Sequence, residues 1–173
     1  MGNNSKQLFV LRHAKADWDM SVPDFDRPLT SNGKKHAQKL GFCMQQQALI
    51  PDLVLSSAAK RAIDTASLVC EQLRIDSEQI HINNSFYDAD EHEILAAVKQ
   101  IPAHYQTALL VGHNPAFEQL IAYLADEPFV SDLDSGKLML PATLVILDFE
   151  GSWSDLVAHH CHLNQRIHGK HLR

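Results

Sequence analysis

Two histidines stand at the ends of apolar segments that have the composition of buried β-strands. His13 follows Leu8-Phe9-Val10-Leu11-Arg12, and His113 follows Ala108-Leu109-Leu110-Val111-Gly112. In an open α/β sheet, ligands bind beyond the carboxyl ends of the strands, so two such strands can direct both imidazole rings into one crevice. A pair of imidazoles delivered in this way indicates phosphoryl transfer through a histidine.

Two arginines accompany the histidines. Arg12 directly precedes His13, and Arg61 lies in the first turns of a predicted helix after a third apolar segment, residues 52–57. A phosphate carries about −1.5 to −2 charges, and a guanidinium offers planar paired donors that match its oxygens. At an effective dielectric of about 20, each unit-charge pair at roughly 4 Å contributes on the order of 4 kcal/mol before desolvation. We therefore expect Arg12 and Arg61 to hold a phosphate or sulfate anion.

The histidines are predicted to have different roles. Neighbouring guanidinium charge lowers the pKa of an imidazole, so His13 stays neutral and attacks phosphorus, forming a covalent phosphohistidine. A backbone carbonyl at the strand end, or another buried acceptor, has to orient its second ring nitrogen. His113 is expected to act as a hydrogen-bond donor or a cation toward the equatorial oxygens. A helix beginning at Asn114 would add free amides for substrate binding, and the chemistry requires no metal or cofactor.

Strand and helix patterns alternate along the elements that must position these residues. Helices are predicted to begin near Ser31, after a cap at Ser56 or Ser57, near Glu91, and at a cap formed by Asn114. The last third differs, because residues 143–149 and 153–161 have the pattern of an antiparallel hairpin. The predicted fold is an α/β three-layer α/β/α sandwich, with a mostly parallel central sheet and an antiparallel edge. It occupies a single domain over residues 1–173.

Composition narrows the class of protein. The net charge of −6 disfavours nonspecific binding to nucleic acid or to an anionic membrane, although a local basic pocket remains compatible with it. Three cysteines without metal-type spacing suggest a reducing compartment. No apolar run approaches the roughly 20 residues that span a bilayer, and the polar start is expected to be a tail rather than a signal peptide. We therefore expect a cytoplasmic protein.

Four segments together resemble a known family: Leu11-Arg12-His13-Ala14-Lys15, Arg27-Pro28-Leu29-Thr30-Ser31-Asn32-Gly33, Ser56 through Ala66, and Val111-Gly112-His113-Asn114-Pro115. In this order they resemble the SixA-type phosphohistidine phosphatases of the histidine phosphatase superfamily, which also contains phosphoglycerate mutases. The similarity extends from about Leu8 to Leu163. It implies His13 as the phosphorylated nucleophile, with Arg12, Arg61 and His113 completing the phosphate pocket. It also implies a signalling or phosphocarrier protein, phosphorylated on histidine, as the substrate.

The general acid of the superfamily has no clear equivalent in this sequence. Mutases and many phosphatases of the superfamily use a glutamate between the second and last motifs, whereas residues 85–91 here read Ser-Phe-Tyr-Asp-Ala-Asp-Glu. A phosphohistidine ring can leave as neutral imidazole, so an N–P bond suits a pocket without a strong acid. Asp88 and Asp17 are the fallback acids. Lys15, Asp17 and Trp18 are predicted either to line the pocket mouth or to be ordinary loop residues. Tyr87 is predicted to be a partly buried packing residue, with contact to the substrate as the alternative.

Other functions stay open. A phosphatase acting on a small phosphorylated metabolite would need basic pocket residues outside the four motifs. A noncatalytic phosphate-binding module ranks third, because His13 and both arginines are intact. Mutase activity is least favoured, because it needs a closed, acid-equipped pocket, and the short loop at residues 21–27 predicts an open site suited to a protein substrate.

The C-terminal region is rich in histidine. It contains His159, His160, Cys161, His162, His168 and His171, and imidazole together with thiol is a zinc-like set of ligand types. On a strand, however, successive side chains point to opposite faces, so these residues do not converge. We therefore expect a structural or an adventitious role and no metal site.

Overall fold

The computed structural model describes residues 4–19, 21–131 and 136–173. The polar start predicted to be a tail therefore lies partly outside the described residues. The described strands are β1 (Ser5–Arg12), β2 (Leu53–Ser57), β3 (Ile80–Asn83), β4 (Thr107–Gly112), β5 (Thr143–Glu150) and β6 (His162–His168). The described α-helices are α1 (Ser31–Gln46), α2 (Lys60–Gln72), α3 (Glu91–Lys99) and α4 (Ala116–Leu124). Among these residues, no helix is both long and apolar enough to cross a membrane.

All of these strands lie in one sheet of order β3-β2-β4-β1-β5-β6. Strand β1 pairs in parallel with β4, where Arg12 lies opposite Gly112, and β2 pairs in parallel with β3 and β4. Strands β5 and β6 are antiparallel additions on the other side of β1. The predicted α/β fold with a mostly parallel sheet and an antiparallel edge is confirmed.

Helices cover both faces of the sheet. Because successive strand residues alternate between faces, Leu8 and Val10 of β1 pack with α3 and α4, whereas Phe9 and Leu11 pack with α1 and α2. These four side chains are buried, as expected for a central strand covered on both faces. The carboxyl ends of β1 and β4 therefore lie side by side at one edge of a rigid core.

Helix α1 begins where the sequence predicted. The hydroxyl of Thr30 caps it by accepting a hydrogen bond from the Gly33 amide, and the apolar stripe Ala37, Leu40, Gly41 and Met44 is buried. A side chain at Gly33 would overlap the Lys15 carbonyl oxygen, so only glycine allows the loop after β1 to lie this close. The start of α1 therefore fixes the backbone that follows His13.

Two predicted helix caps are wrong. Ser56 and Ser57 belong to β2, and α2 begins after Ala59 without a side-chain cap. Asn114 does not cap α4, which begins at Ala116 after Pro115. The side chain of Asn114 donates instead to the Glu118 carboxylate at 2.8 Å, so it does not serve a backbone amide of the helix.

The predicted hairpin strand over residues 153–161 is also wrong. The chain turns inward at Trp153, which is fully buried, and its indole N–H donates to the Tyr105 carbonyl at 2.9 Å. Burying this large ring, with its N–H satisfied, takes the chain out of the extended conformation, and the antiparallel partner of β5 begins only at His162. Because residues 153–161 are not an extended strand, the side chains of His159, His160 and Cys161 do not alternate between two faces of the sheet as predicted. No cluster of three or more potential metal ligands occurs among the described residues.

Candidate active site

The parallel pairing of β1 and β4 brings the two predicted histidines together. Their ring centroids lie 5.2 Å apart, and the backbone amide of His13 donates to the Gly112 carbonyl at 3.0 Å. Arg12 from β1 and Arg61 from the first turn of α2 line the same cavity, which has a volume of about 720 Å³. The structure therefore places all four predicted phosphate-pocket residues around one space.

A backbone carbonyl orients His13. Its Nδ1 lies 2.7 Å from the Ala14 carbonyl oxygen. Because a carbonyl only accepts, this contact assigns the proton to Nδ1 and leaves the lone pair on Nε2. Ala14 is held in turn, because its amide donates to the Thr65 hydroxyl at 2.9 Å and that hydroxyl donates to the Arg61 carbonyl at 2.7 Å. The acceptor that the sequence left open is thus Ala14.

Burial keeps both imidazoles neutral. It is the largest cause that lowers the pKa of His13 to about 3, and His113, Arg61 and Arg12 lower it further. The pKa of His113 is lowered to about 4, again chiefly by burial and then by Arg61. The prediction of a neutral His13 agrees with this direction, but burial outweighs the arginine charge that the sequence argument used. In the absence of substrate, His113 is a neutral group rather than a cation.

The protein satisfies the two guanidinium groups only in part. Arg12 donates from Nη1 to the Met139 carbonyl at 2.8 Å, and Arg61 donates from Nη1 to the Asp24 carbonyl at 2.6 Å. Among the described residues, the buried Nε atoms of both arginines and Nδ1 of His113 have no hydrogen-bond partner. Leaving a buried donor unpaired costs about 1 to 3 kcal/mol, and both Nε–H groups are such donors, so the two guanidinium groups favour an anion beside them.

Asp24 is a site residue that the sequence analysis missed. Its carboxylate accepts from Arg61 Nη2 at 3.1 Å, from Arg27 Nε at 3.0 Å and from the Tyr87 hydroxyl at 2.5 Å. The Tyr87 hydrogen bond is the largest cause that lowers the pKa of Asp24 to about 2. The same bond raises the pKa of Tyr87. The i, i+3 spacing of Asp24 and Arg27 was a usable signal, but no local pattern indicates the contact with Tyr87.

The remaining predicted residues divide into two groups. Lys15, Tyr87, Asp88 and Asn114 line the cavity, whereas Asp17 is not one of its lining residues. The Asp17 carbonyl accepts from Arg27 Nη1 at 3.0 Å, so this residue helps to shape the loop.

Further polar residues line the cavity without having been predicted. They are Asn32, His36, Lys137 and Lys170. Lys170 reaches the cavity because the chain after β6 folds back onto α1, a contact that no local sequence pattern shows.

Sequence comparison detects a similarity that covers the first half of the site. A sequence profile of the histidine phosphatase superfamily (branch 1) matches residues 8–90, which include His13 and Arg61. The matched segment ends before His113, and it is the parallel pairing of β1 with β4 that brings His113 beside His13.

Solved structures extend the similarity to nearly the whole chain. A candidate phosphohistidine phosphatase SixA from Nakamurella multipartitia is 28% identical with a TM-score of 0.81, covering 95% of this chain and 96% of that chain. A candidate SixA from Agrobacterium tumefaciens is also 28% identical, with a TM-score of 0.77 and coverage of 94% and 97%. A mycobacterial glucosyl-3-phosphoglycerate phosphatase shares the fold, with a TM-score of 0.63 at 15% identity and coverage of 92% and 97%. The predicted resemblance to the histidine phosphatase superfamily is confirmed.

Proposed function

Because the chain resembles the histidine phosphatase superfamily in sequence and in fold, we propose that it is a phosphohistidine phosphatase with His13 as its nucleophile. One observation carries this proposal. The Nδ1 proton of His13 is held by the Ala14 carbonyl at 2.7 Å, so the opposite ring nitrogen is the basic one. A neutral imidazole with a fixed tautomer, beside two arginines, is the arrangement that nucleophilic attack on phosphorus requires.

The reaction proceeds in two displacements. In the first, Nε2 of His13 forms a bond to phosphorus while the bond to the leaving group breaks, and Arg12, Arg61 and His113 stabilise the charge on the phosphoryl oxygens. The negative charge of the phosphoryl group raises the pKa of His113 above its value in the empty site, which favours its donor role. In the second displacement, the oxygen of a water forms a bond to phosphorus while the bond from phosphorus to Nε2 of His13 breaks. Both water protons leave with the product as dihydrogen phosphate, and His13 returns to its neutral form with its proton on Nδ1.

The carboxylate of Asp24 favours an N–P substrate. Asp24 stays ionised near neutral pH, because its pKa is lowered to about 2, and it cannot donate a proton to a leaving alkoxide. An imidazole whose second nitrogen is protonated leaves as a neutral ring and needs no such donor. At the cavity mouth, Trp18 is 77% exposed. A site of this kind suits a phosphohistidine on the surface of a signalling or phosphocarrier protein.

Isotopic labelling tests the proposal. Incubation with labelled phosphoramidate is expected to place an acid-labile phosphoryl group on His13, and His13→Ala removes the label. His81→Ala is the matched control, because it removes an exposed imidazole that does not line the cavity. Label that persists in His13→Ala, or absence of label from the unmodified chain under single-turnover conditions, contradicts the assignment of the nucleophile.

A second candidate is a phosphatase for a small metabolite. It is favoured by Lys137 and Lys170, which line the cavity but lie outside the four motifs. Comparing kcat/KM for a phosphohistidine peptide with that for unactivated phosphate esters separates the two functions. A clear preference for the esters refutes the phosphohistidine proposal. Failure to turn over either class would favour the third alternative, a phosphate-binding module.

We also propose a cytoplasmic location, which rests on the cysteines. Cys43, Cys70 and Cys161 are all free thiols. Burial raises the pKa of Cys70 to about 11, and burial is also the largest cause that raises the pKa of Cys161 to about 12. Thiols of this kind are unreactive structural groups rather than redox sensors.

A further inference from the structure

One side of the cavity mouth is positively charged. Lys15, His36 and Lys170 line it, and we refer to these three residues as the cationic rim. The cavity volume of about 720 Å³ is in the range of sites for whole small molecules, well above the space that a phosphate ion fills. The arginines beside His13 already serve the phosphoryl group, so the rim is available to another part of the substrate.

Distant parts of the chain are fixed in place to form the rim. The Lys15 carbonyl accepts from the Thr30 amide at 2.9 Å, which ties the loop after β1 to the start of α1. The Gly169 amide donates to the Ala142 carbonyl at 2.8 Å. A side chain at Gly169 would lie 2.8 Å from the His36 carbonyl, so glycine lets the chain after β6 pack directly on α1. Lys170 is therefore held beside His36 by the fold.

Among the described residues, no carboxylate forms an ion pair with the lysines of the rim. The acidic residues that line the cavity are Asp24, which is bound to Arg61 and Arg27, and Asp88. Asp88 also lies near Asn114 and Ala116 at the start of α4. Clustered cations in a protein of net charge −6 favour an anion at this place.

The effect of these lysines on His36 supports their proximity. Burial is the largest cause that lowers the pKa of His36, and Lys39, Lys170 and Lys15 lower it further. Lys15 and Lys170 therefore carry the positive charge of the rim, and the lowered pKa of His36 favours the neutral, hydrogen-bonding form of its ring.

We propose that the cationic rim binds a second anionic group of the substrate, next to the phosphoryl group at His13. This inference rests on the proposed function, and for a protein substrate it means acidic side chains flanking the phosphohistidine. The rim thus determines which phosphohistidines are good substrates, while the arginines and histidines carry out the reaction.

Two peptides of equal length test the rim, one with aspartate and glutamate around a phosphohistidine and one with serine and glutamine. Their dissociation constants are measured by calorimetry with the full chain carrying His13→Ala, so that turnover does not interfere. We expect the acidic peptide to bind more tightly. Lys15→Gln with Lys170→Gln is expected to weaken its binding about five- to tenfold relative to the neutral peptide. The preference is expected to shrink as salt rises from about 0.05 to 0.5 M.

Lys34→Gln with Lys35→Gln is the matched control. These lysines are exposed on α1 and do not line the cavity, so the same change in charge is expected to keep most of the preference. Equal affinity of the two peptides for the chain with an intact rim overturns the proposal, as does a preference that survives the loss of both rim lysines. Turnover by the unmodified chain is a separate readout. Absence of turnover together with a rim-dependent preference refutes the phosphohistidine substrate and leaves the rim as an anion site.

Discussion

The neutral imidazoles of the site should make this protein sensitive to mild acid. An unfolded histidine has a pKa of about 6.5, whereas the folded chain lowers the pKa of His13 to about 3 and that of His113 to about 4. At pH values between the unfolded pKa of about 6.5 and the lower pKa values of the folded chain, the unfolded chain binds more protons than the folded chain. The stability contribution is therefore complete above about pH 6.5 and is lost as pH falls toward the folded pKa values.

The size of the effect follows from the size of the shifts. At pH 5, about 1.5 units below the unfolded pKa, each group lowers the free energy of unfolding by about 2 kcal/mol, since one unit corresponds to about 1.4 kcal/mol. The two groups together remove about 4 kcal/mol, a large share of the roughly 5 to 15 kcal/mol that stabilises a typical domain. Each imidazole lies within reach of the other at 5.2 Å, so replacing both restores somewhat less than the sum.

Urea unfolding at pH 8, 7, 6 and 5 measures this loss. We expect His13→Gln to reduce the drop in unfolding free energy between pH 8 and pH 5 by about 2 kcal/mol, because glutamine does not titrate. His113→Gln should act similarly, and His81→Gln, at an exposed position, should follow the unmodified chain. If His13→Gln loses as much stability as the unmodified chain over this range, His13 is not a buried neutral group and the proposed nucleophile loses its physical basis.

Three further predictions concern the same region. Asp24→Asn keeps the shape of the side chain but weakens its hydrogen bonds to Arg61, Arg27 and Tyr87. We expect kcat/KM to fall about tenfold with little change in Tm. An unchanged kcat/KM would show that Asp24 does not position Arg61. In the substrate-free protein the pKa of His13 is lowered to about 3. We therefore expect that log kcat/KM, corrected for substrate stability, does not fall between pH 8 and 5.5 through protonation of His13. A fall with a midpoint near pH 6.5 would contradict this prediction. Gly33→Ala places a methyl group against the Lys15 carbonyl oxygen, and we expect the free energy of unfolding in urea to fall by about 1 to 3 kcal/mol. The control Lys34→Ala, at an exposed position of α1, should change that free energy by less than about 0.5 kcal/mol.

Much of the fold could be predicted because its signals are local. The continuous apolar run of β1 is typical of a strand buried on both faces, and His13 directly follows it. The predicted position of His113 follows from the same logic in β4. The parallel pairing needed to bring these histidines together is a property of the alternating strands and helices.

The sequence predictions are wrong or incomplete where contacts between distant parts of the chain determine the local conformation. Residues 153–161 do not form the predicted hairpin strand, because the ring of Trp153 packs into the core and its N–H donates to the Tyr105 carbonyl, a partner 48 positions away in the sequence. Asn114 has the residue type of a helix cap, but its amide binds the side chain of Glu118. Asp24 could not be assigned from its neighbours, because its meaning depends on Arg61 and Tyr87.

A single hydroxyl has a consequence for how the site tolerates motion. The hydroxyl of Thr65 in α2 accepts a hydrogen bond from the Ala14 amide and donates one to the Arg61 carbonyl. The backbone next to His13 and the backbone of Arg61 are therefore bound to the same side chain. Thr65 therefore couples the backbone beside His13 to the backbone of Arg61, and we expect a small displacement of α2 to move the imidazole and the guanidinium together.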